Sequence, residues 1–337
     1  MRTCHSSTIM KNIISASNVK GIGPVGILKL LKASAHMCDD GEFVKKHFKI
    51  NQEDWNIATG KANRILDDCS RQGIKPVAYS MPEYPQLLAE LADAPAILYV
   101  KGSVSALQPK AVAVIGSRKA HEQSKRIAFR LGEFFAEKGA TVVSGLALGC
   151  DTEGHAGALS SSGLTVAVLA HGLDRVYPDA NRGLAAKIVE AGGALVSEYP
   201  PGVKPFRTFF VQRDRIQSGL SKATVVVQTK IDGGSMHTSR FCIKQNRILA
   251  AWYPIFSGFE GIFSGNFELL NSNQAISLKN PDDLQNLWCS ISGIDSKQII
   301  SDRIEQFSKV PPAEAPPASS SVPQHAQRFV QGSLLNL

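Results

Sequence analysis

Residues 111–119 have the sequence AVAVIGSRK, in which five apolar residues lead directly into a glycine turn with two cations. Comparable apolar runs recur at 140–143, 164–169, 194–196, 224–227 and 248–251. Helical periodicity fills several of the intervals, as at 123–138, 179–190 and 235–245. Apolar strands that alternate with helices are typical of βαβ units, which form a parallel sheet with right-handed crossovers. The sequence therefore predicts an α/β fold, with a Rossmann-like, doubly wound domain over 105–290.

The rest of the chain divides into four segments by its composition. Residues 1–75 have polar, helical patterns and predict a separate N-terminal domain. Residues 76–104 contain several prolines before an apolar strand at 96–100, and we interpret them as a connecting segment. A short helical stretch is expected at 291–309. Residues 310–337 are rich in Pro, Ala and Ser, which predicts a disordered tail.

Composition excludes several broad classes of protein. The 337 residues are 43% hydrophobic and 20% charged, so the chain can bury a full core and is not globally disordered. Neither a membrane-spanning run nor a signal-peptide pattern is present, so we expect a cytoplasmic protein without membrane contact. The six cysteines are isolated from one another, which predicts reduced thiols. The net charge of +8 suits a polyanionic partner.

Glycine-rich loops follow four of the predicted strands, at the edge where an open parallel sheet binds ligands. Glycine lets a backbone approach a ligand closely, and the N–H groups of helix N-termini attract phosphate. We interpret the loops together as an anion-binding rim, although each glycine alone could simply form a tight turn. The candidate residues are Gly116, Ser117, Arg118 and Lys119 in the first loop, Gly145 in the second, and Gly233, Gly234 and Ser235 after the fifth strand.

The segment 197–215, SEYPPGVKPFRTFFVQRDR, interleaves cations with aromatic residues. Cations hold a phosphodiester backbone and aromatic faces stack on unpaired bases, so this combination favours single-stranded nucleic acid. The candidates are Lys204, Arg207, Arg213 and Arg215 with the rings of Phe209 and Phe210. If the two phenylalanines lie in an extended segment, they point in opposite directions. The alternative places the rings in the core and the arginines in ion pairs.

Motifs for catalysis are missing or weak. The sequence has no Walker loop, no GxSxG and no metal-ligand spacing, so we predict no catalytic residue, metal or cofactor. Asp151 and His155 lie four residues apart at a predicted helix start, where helix capping by Asp151 is the preferred interpretation. The GxGxxG at 21–26 does not follow a strand. It fits the turn of a helix-hairpin-helix element, which could hold a DNA phosphate or be purely structural.

Several motifs, in this order along the chain, resemble the DNA-processing protein A family, DprA or Smf. They are Glu83-Tyr84-Pro85, Val114-Ile115-Gly116-Ser117-Arg118, Ser144-Gly145-Leu146-Ala147, Gly172-Leu173-Asp174, Ser197-Glu198-Tyr199-Pro200 and Ser218-Gly219-Leu220-Ser221. The resemblance implies an extended Rossmann fold with a small N-terminal helical domain of helix-hairpin-helix or SAM-like type. It also implies a homodimer that binds single-stranded DNA without enzymatic activity.

The resemblance further implies that the protein helps to load the RecA recombinase onto single-stranded DNA, as in natural transformation, and that it displaces single-strand-binding protein. Residue matching implies that Arg118 contacts DNA. It assigns the phosphate-holding and base-stacking roles to Lys204 or Arg207, with Phe209 or Phe210.

The chain also departs from the family pattern. Where the family usually has Arg-Asn-Arg, this chain has Asp214 between two arginines, and we expect the acid to pair with them and weaken anion binding. Gln228-Thr229 replaces the family's Glu-Ala, and no winged-helix pattern follows residue 290. Two alternatives stay open: a phosphoribohydrolase-like nucleotide enzyme that uses the Gly233-Gly234 loop, and a domain that senses a small nucleotide.

Overall fold

The computed structural model describes residues 2–107, 110–254 and 260–293. Its strands are β1 Ile74–Ala78, β2 Ile97–Gly102, β3 Ala111–Ile115, β4 Thr141–Ser144, β5 Thr165–Val168, β6 Ala194–Ser197, β7 Ala223–Val226, β8 Ile248–Trp252 and β9 Ile276–Leu278. Its helices are α1 Arg2–Ser17, α2 Pro24–Ser34, α3 Gly41–His47, α4 Gln52–Arg71, α5 Gln86–Ala89, α6 Glu122–Glu137, α7 Cys150–Ser160, α8 Arg182–Glu190, α9 Arg207–Gly219, α10 Ser235–Lys244, α11 Ser264–Asn271 and α12 Pro281–Ser292. The expected helical stretch at 291–309 lies outside the described residues from 294 onward, as does the expected tail.

The strands form one sheet in the order β1-β2-β6-β5-β4-β3-β7-β8-β9. β1 pairs antiparallel with β2, and β2 pairs antiparallel with β6, whereas all other neighbours are parallel. This architecture confirms the predicted mostly parallel α/β sheet, and β3 to β8 coincide with the six predicted strands. Residues 76–104, interpreted from sequence as a connection, instead contribute most of β1 and all of β2 to the same sheet.

Alternating side chains of the central strands pack into two separate layers. On β3, Val112 and Val114 join one hydrophobic cluster, with α6, α7 and α12. Ala113 and Ile115 join the other, with α9 and α10. Because successive strand residues point to opposite faces, and both faces are covered, these strands appear in the sequence as continuous apolar runs.

The four N-terminal helices share a core with the sheet. Ile13 and Ile14 of α1 are fully buried in the same hydrophobic cluster as β1 and β2. The Lys32 ammonium also donates to the Leu91 carbonyl at 3.3 Å, which links α2 to the segment after α5. The glycine turn lies between α1 and α2, and Gly21 adopts a positive φ of 92° there. The turn therefore connects two helices, as the sequence predicts.

Helices α6 and α7 touch backbone to backbone. A Cβ atom on Gly132 would collide with the Gly154 carbonyl oxygen, and one on Gly157 would collide with the Phe129 carbonyl oxygen. The absence of side chains at these positions lets the helices approach closely. This contact fixes α7, whose N-terminus lies at the carboxyl end of β4.

The order of the strands creates a crevice at the carboxyl ends of the central strands. From β3 the chain passes through α6 to β4 on one side, and it later returns through α9 to β7 on the other side. The loops after β3 and β7 therefore diverge, and this switch point is where open α/β sheets bind ligands. The crevice contains the 116–119 loop and the 228–235 loop.

None of the described helices is long and apolar enough to cross a membrane. The cysteines of the described part of the chain whose side chains are placed are free and buried: Cys38, Cys69, Cys150, Cys242 and Cys289. Burial raises the pKa of the Cys242 thiol to about 11, so this thiol is unreactive at neutral pH.

The close contact between α6 and α7 can be tested by substitution. Gly157→Ala should lower the free energy of unfolding by about 1–3 kcal/mol, because the new methyl group overlaps the Phe129 carbonyl oxygen. Gly183→Ala is the matched control, since a Cβ on this α8 residue meets no atom within 4 Å. Urea denaturation of both variants measures the difference, and equal stabilities would contradict the packing described here.

Candidate nucleic-acid interface

The loop after β3 is held by backbone and side-chain hydrogen bonds to the segment after β7. The Ser117 N–H donates to the Gln228 carbonyl at 2.8 Å, and the His121 N–H donates to Gln228 Oε1 at 2.9 Å. Between these two anchors, Arg118 and Lys119 are exposed. The Gln228 side chain thus fixes the loop that presents both cations.

Two glycines allow this loop to approach α7. A Cβ on Gly116 would overlap the Cys150 thiol, and a Cβ on Gly149 would overlap the Ser117 carbonyl oxygen. Gly149 also has a φ of 79°, which disfavours any other residue. The Cys150 N–H donates to the Ser117 carbonyl at 3.2 Å, so the start of α7 is bonded to this loop.

The loop after β4 uses its amide groups internally. Asp151 Oδ2 accepts hydrogen bonds from the N–H groups of Gly145 at 3.1 Å and Ala147 at 3.3 Å. These amides are therefore engaged by a buried carboxylate, which corrects the expectation that Gly145 offers its backbone to an anion. Asp151 was expected to cap the helix, and it instead bonds the loop before α7, whose N-cap is Gly149.

His155 is fully buried in α7 and is not paired with Asp151 as an acid–base couple. Its Nδ1 lies 2.6 Å from the Thr165 hydroxyl. Burial lowers the pKa of His155 to about 3, with the nearby Arg213 charge adding to the effect. The imidazole is therefore neutral at physiological pH and supports the fold between α7 and β5.

Arg213 lies beneath the loops rather than on the surface. Its Nη1 donates to the Gly145 carbonyl at 3.0 Å and to the Val168 carbonyl, and the residue is only 5% exposed. Its Nε is 3.2 Å from Asp214 Oδ1. The sequence predicts Arg213 as a DNA contact, but in the structure its guanidinium joins the ends of β4 and β5 from inside. A Cβ on Gly145 would overlap this guanidinium, so the glycine makes room for it.

Arg215 is also engaged within the protein. Its Nη2 donates to Glu198 Oε2 at 2.6 Å, and its Nε lies 3.7 Å from Asp93 Oδ2. The Arg215 side chain is 13% exposed and that of Glu198 11%. This ion pair fastens α9 to the end of β6, and it leaves Arg215 outside the exposed part of the candidate interface.

Asp214 is a buried carboxylic acid at 8% exposure. Burial raises its pKa to about 7, and the neighbouring Asp151 adds to the rise, whereas the charges of Arg213 and Arg118 oppose it. The expected ion pairing occurs with Arg213 alone, because Arg215 bonds Glu198. The carboxyl groups of Asp214 and Asp151 therefore both lie in the field of the buried Arg213 guanidinium.

The aromatic residues lie at the start of α9, which begins at Arg207. Phe209 and Phe210 are therefore helical rather than extended, but their rings still diverge because consecutive helix residues point about 100° apart. The Phe210 ring lies 5.4 Å from the Arg118 guanidinium. The Phe209 ring stacks on Tyr199 at 4.3 Å. Both phenylalanines are partly buried.

Four of the six predicted cations are exposed at the switch-point edge. Arg118 and Lys119 extend from the β3 loop, and Lys204 and Arg207 lie on either side of the point where α9 begins. Phe206, between Lys204 and Arg207, is 61% exposed. We call these five residues and Phe210 the cationic–aromatic surface.

The remaining predicted residues lie at the start of α10. Gly233 precedes Gly234, the N-cap of that helix, and Ser235 is its first residue. A Cβ on Gly233 would overlap the Thr229 hydroxyl, so this glycine is needed for a tight loop. The Gln228 bonds to Ser117 and His121 connect the beginning of this loop to the loop after β3.

Two tyrosines at this edge are missing from the predicted site. Tyr177 lies 5.9 Å from the Phe210 ring, and Tyr199 stacks on Phe209. Each tyrosine comes after a predicted strand, at the edge of the sheet that carries the loops. This position in the sequence was the signal that could have added both rings to the predicted site. The described residues contain no group of three or more His, Cys, Asp or Glu side chains that could hold a metal ion.

The fold defines the class: a doubly wound α/β protein of the Rossmann type, with exposed cations and aromatic rings at its switch point. The family model for DNA recombination-mediator protein A matches residues 75–288. Protein Smf of Escherichia coli K12 is 41% identical over 164 residues, which cover 49% of this chain and 44% of that protein. The chain spans less than two thirds of the length of the first curated relatives it matches.

Two solved structures are similar over most of their own length. DNA processing protein A from Streptococcus pneumoniae has a TM-score of 0.68 and 28% identity, covering 82% of this chain and 95% of that chain. The corresponding protein from Helicobacter pylori, whose structure concerns its single-stranded DNA binding mode, has a TM-score of 0.58 and 28% identity, covering 66% of this chain and 98% of that chain. The chain thus belongs to the DNA recombination-mediator protein A family, which confirms the predicted resemblance to DprA and Smf.

The raised pKa of Asp214 predicts a specific dependence of stability on pH. The folded state keeps this proton up to about pH 7, whereas the unfolded state releases it near pH 3.8. This group therefore stabilises the fold fully below about pH 4, and the contribution is lost as the pH rises through 7. Asp214→Asn should remove that change.

Urea denaturation of both proteins between about pH 4 and pH 8 measures the effect. We expect the free energy of unfolding of the wild type, relative to Asp214→Asn, to fall by about 2–4 kcal/mol over this range. A constant difference between the two curves would show that Asp214 titrates normally.

Proposed function

We propose that this chain binds single-stranded DNA along the cationic–aromatic surface. The observation that carries the proposal is the placement of the Arg118 guanidinium 5.4 Å from the Phe210 ring. These two residues come from different parts of the chain. The Gln228 bonds hold the loop that carries Arg118, and the Arg213 bonds hold the helix that carries Phe210. A cation within a group of aromatic rings suits a nucleotide, because the cation holds the phosphate and a ring at the same edge contacts the base.

Single strands fit this surface better than duplex DNA. Exposed side chains of Arg118, Lys119, Lys204 and Arg207 offer contacts to phosphate, and they carry no sequence information. Phe206 offers an exposed ring, but a duplex hides its base faces within the stack. Because the loop amides are largely bonded within the protein, side-chain cations provide the main attraction for the backbone. Binding should therefore depend strongly on salt.

The family assignment supports a further role in DNA processing. We propose that the chain acts in the cytoplasm as a homodimer that helps to load a RecA-type recombinase onto single-stranded DNA and displaces single-strand-binding protein, as in natural transformation. The family description, DNA recombination-mediator protein A, supports the loading role. The Helicobacter pylori relative, which has a single-stranded DNA binding mode, supports the choice of ligand.

We propose that this function involves no catalytic step. Asp151 and His155, the pair that the sequence offers for acid–base chemistry, are buried and bonded within the fold. In the loop that suggests a nucleotide enzyme from sequence, Gly233 lies against Thr229 and Lys230. Single-strand binding therefore explains more of this surface than nucleotide hydrolysis does.

Arg118→Ala tests the proposed contact. Affinity for a labelled oligo-dT should fall by about tenfold, which corresponds to about 1.4 kcal/mol. The slope of log K against log salt should become shallower by about 0.7, the value for one phosphate contact on a single strand. Fluorescence anisotropy at several salt concentrations measures both quantities.

Arg130→Ala is the matched control, because Arg130 lies on α6 in an ion pair with Glu133. It should leave affinity and salt slope unchanged. Equal losses in the two variants, or wild-type binding that is as tight to duplex as to oligo-dT, would contradict the proposed site.

A further inference from the structure

The rings at the start of α9 form two separate rows. In the first row, the Phe210 ring is a neighbour of both the Tyr177 ring, at 5.9 Å, and the Arg118 guanidinium, at 5.4 Å. In the second row, the Phe209 ring is a neighbour of both Tyr199 and Phe206, with centroid distances of 4.3 and 5.8 Å. The consecutive phenylalanines are therefore the inner members of both rows.

Exposure distinguishes the Tyr177 ring from the Phe210 ring in the first row. Tyr177 is 50% exposed, whereas Phe210 is partly buried and has the Arg118 guanidinium close to it. A base that approaches this row from solvent therefore meets the Tyr177 ring more readily than the Phe210 ring. A large exposed ring that contacts a second ring, which in turn contacts a cation, suits the binding of a ligand that has both bases and phosphates.

The segment that carries Tyr177 is anchored on both sides. Before it, Asp174 Oδ1 accepts from the Gly202 N–H at 2.8 Å, which ties the loop after β5 to the loop after β6. After it, Asn181 Nδ2 donates to the Leu146 carbonyl at 2.8 Å. The exposure of Tyr177 therefore belongs to a fixed segment, and a fixed ring loses little conformational entropy when it binds a ligand.

We propose that Tyr177 is a base-stacking residue for single-stranded DNA, placed next to the nucleotide whose phosphate Arg118 holds. This assignment rests on the proposed function and extends its site across the carboxyl end of β5. Phe210 then acts mainly as the support between the cation and the stacking ring. The strand would run from the switch point at β3 toward the 174–181 segment.

The test compares two strands of equal length, oligo-dT and a fully abasic oligonucleotide with the same phosphates. Tyr177→Ala should weaken binding of oligo-dT by about 5- to 100-fold, because base stacking on an aromatic ring is lost. Its affinity for the abasic strand should equal that of the wild type. Tyr177→Phe keeps the ring and should bind both strands as the wild type does. Tyr177→Leu keeps an apolar side chain without the ring and should behave like Tyr177→Ala.

The outcomes separate this inference from the function on which it rests. If Tyr177→Ala lost affinity equally for oligo-dT and for the abasic strand, the ring would only position the loop. If its affinity for oligo-dT were unchanged, no base would stack on Tyr177. Either result overturns the role of Tyr177. The proposed function still stands in that case if the wild type binds oligo-dT and Arg118→Ala weakens this binding. If the wild type fails to bind oligo-dT, the proposed function fails and this assignment fails with it.

Discussion

The candidate interface depends on one buried guanidinium. Arg213 bonds the backbone at the carboxyl ends of β4 and β5, and it forms an ion pair with Asp214. A buried cation without partners would be strongly destabilising, so these bonds fix the rotation and the position of α9. Phe210 lies three residues earlier on the same helix, nearly one turn away, and its place beside Arg118 follows from this anchoring.

The interior bonding also explains how the loops divide their roles. Backbone amides near the crevice bond to Asp151 and Gln228, and they hold the loops in place. The exposed cations are then free to meet a polyanion without any change in the loops beneath them. Such a surface suits a ligand of variable sequence, because phosphate contacts are insensitive to the bases and stacking accepts any of them.

Asp214 shows how a departure from the family pattern can be accommodated. With a pKa of about 7, its carboxyl group is protonated in a substantial part of the molecules at neutral pH. The protonated acid is uncharged and has a donor and an acceptor, as has the asparagine that the family resemblance implies at this position. With aspartate at position 214, the charge beneath the loops varies with pH near neutrality, while the exposed cations keep their charge.

Much of the fold was predictable because burial on both faces of the sheet leaves a local pattern. The runs that became β3 to β8 are apolar over their whole length, and the glycine turns mark their ends. β9 was not predicted, since it has only three residues and Ile276 is 46% exposed. The antiparallel pairing of β2 with β6 joins Tyr99 to Ser197, and no local pattern encodes such a distant contact.

The site was predictable in its location but not in all its side chains. Arg118 and Arg213 look equivalent in the sequence, yet Arg118 is exposed, whereas Arg213 is buried at 5% exposure. Their difference depends on carbonyl groups of Gly145 and Val168, which the fold alone brings to Arg213. The helical state of Phe209 arises in the same way, because the anchoring of α9 outweighs the extended tendency of an aromatic pair.

The central claim is that single-stranded DNA lies on the switch-point edge of the sheet. Photocrosslinking tests it most directly: an oligonucleotide that contains 5-iodo-deoxyuridine is irradiated with the full chain, and the crosslinked peptides are identified by mass spectrometry. We predict crosslinks to the rings at 177 and 206–210. Crosslinks confined to the helix–helix turn at 21–26, with none at the sheet edge, would contradict the account.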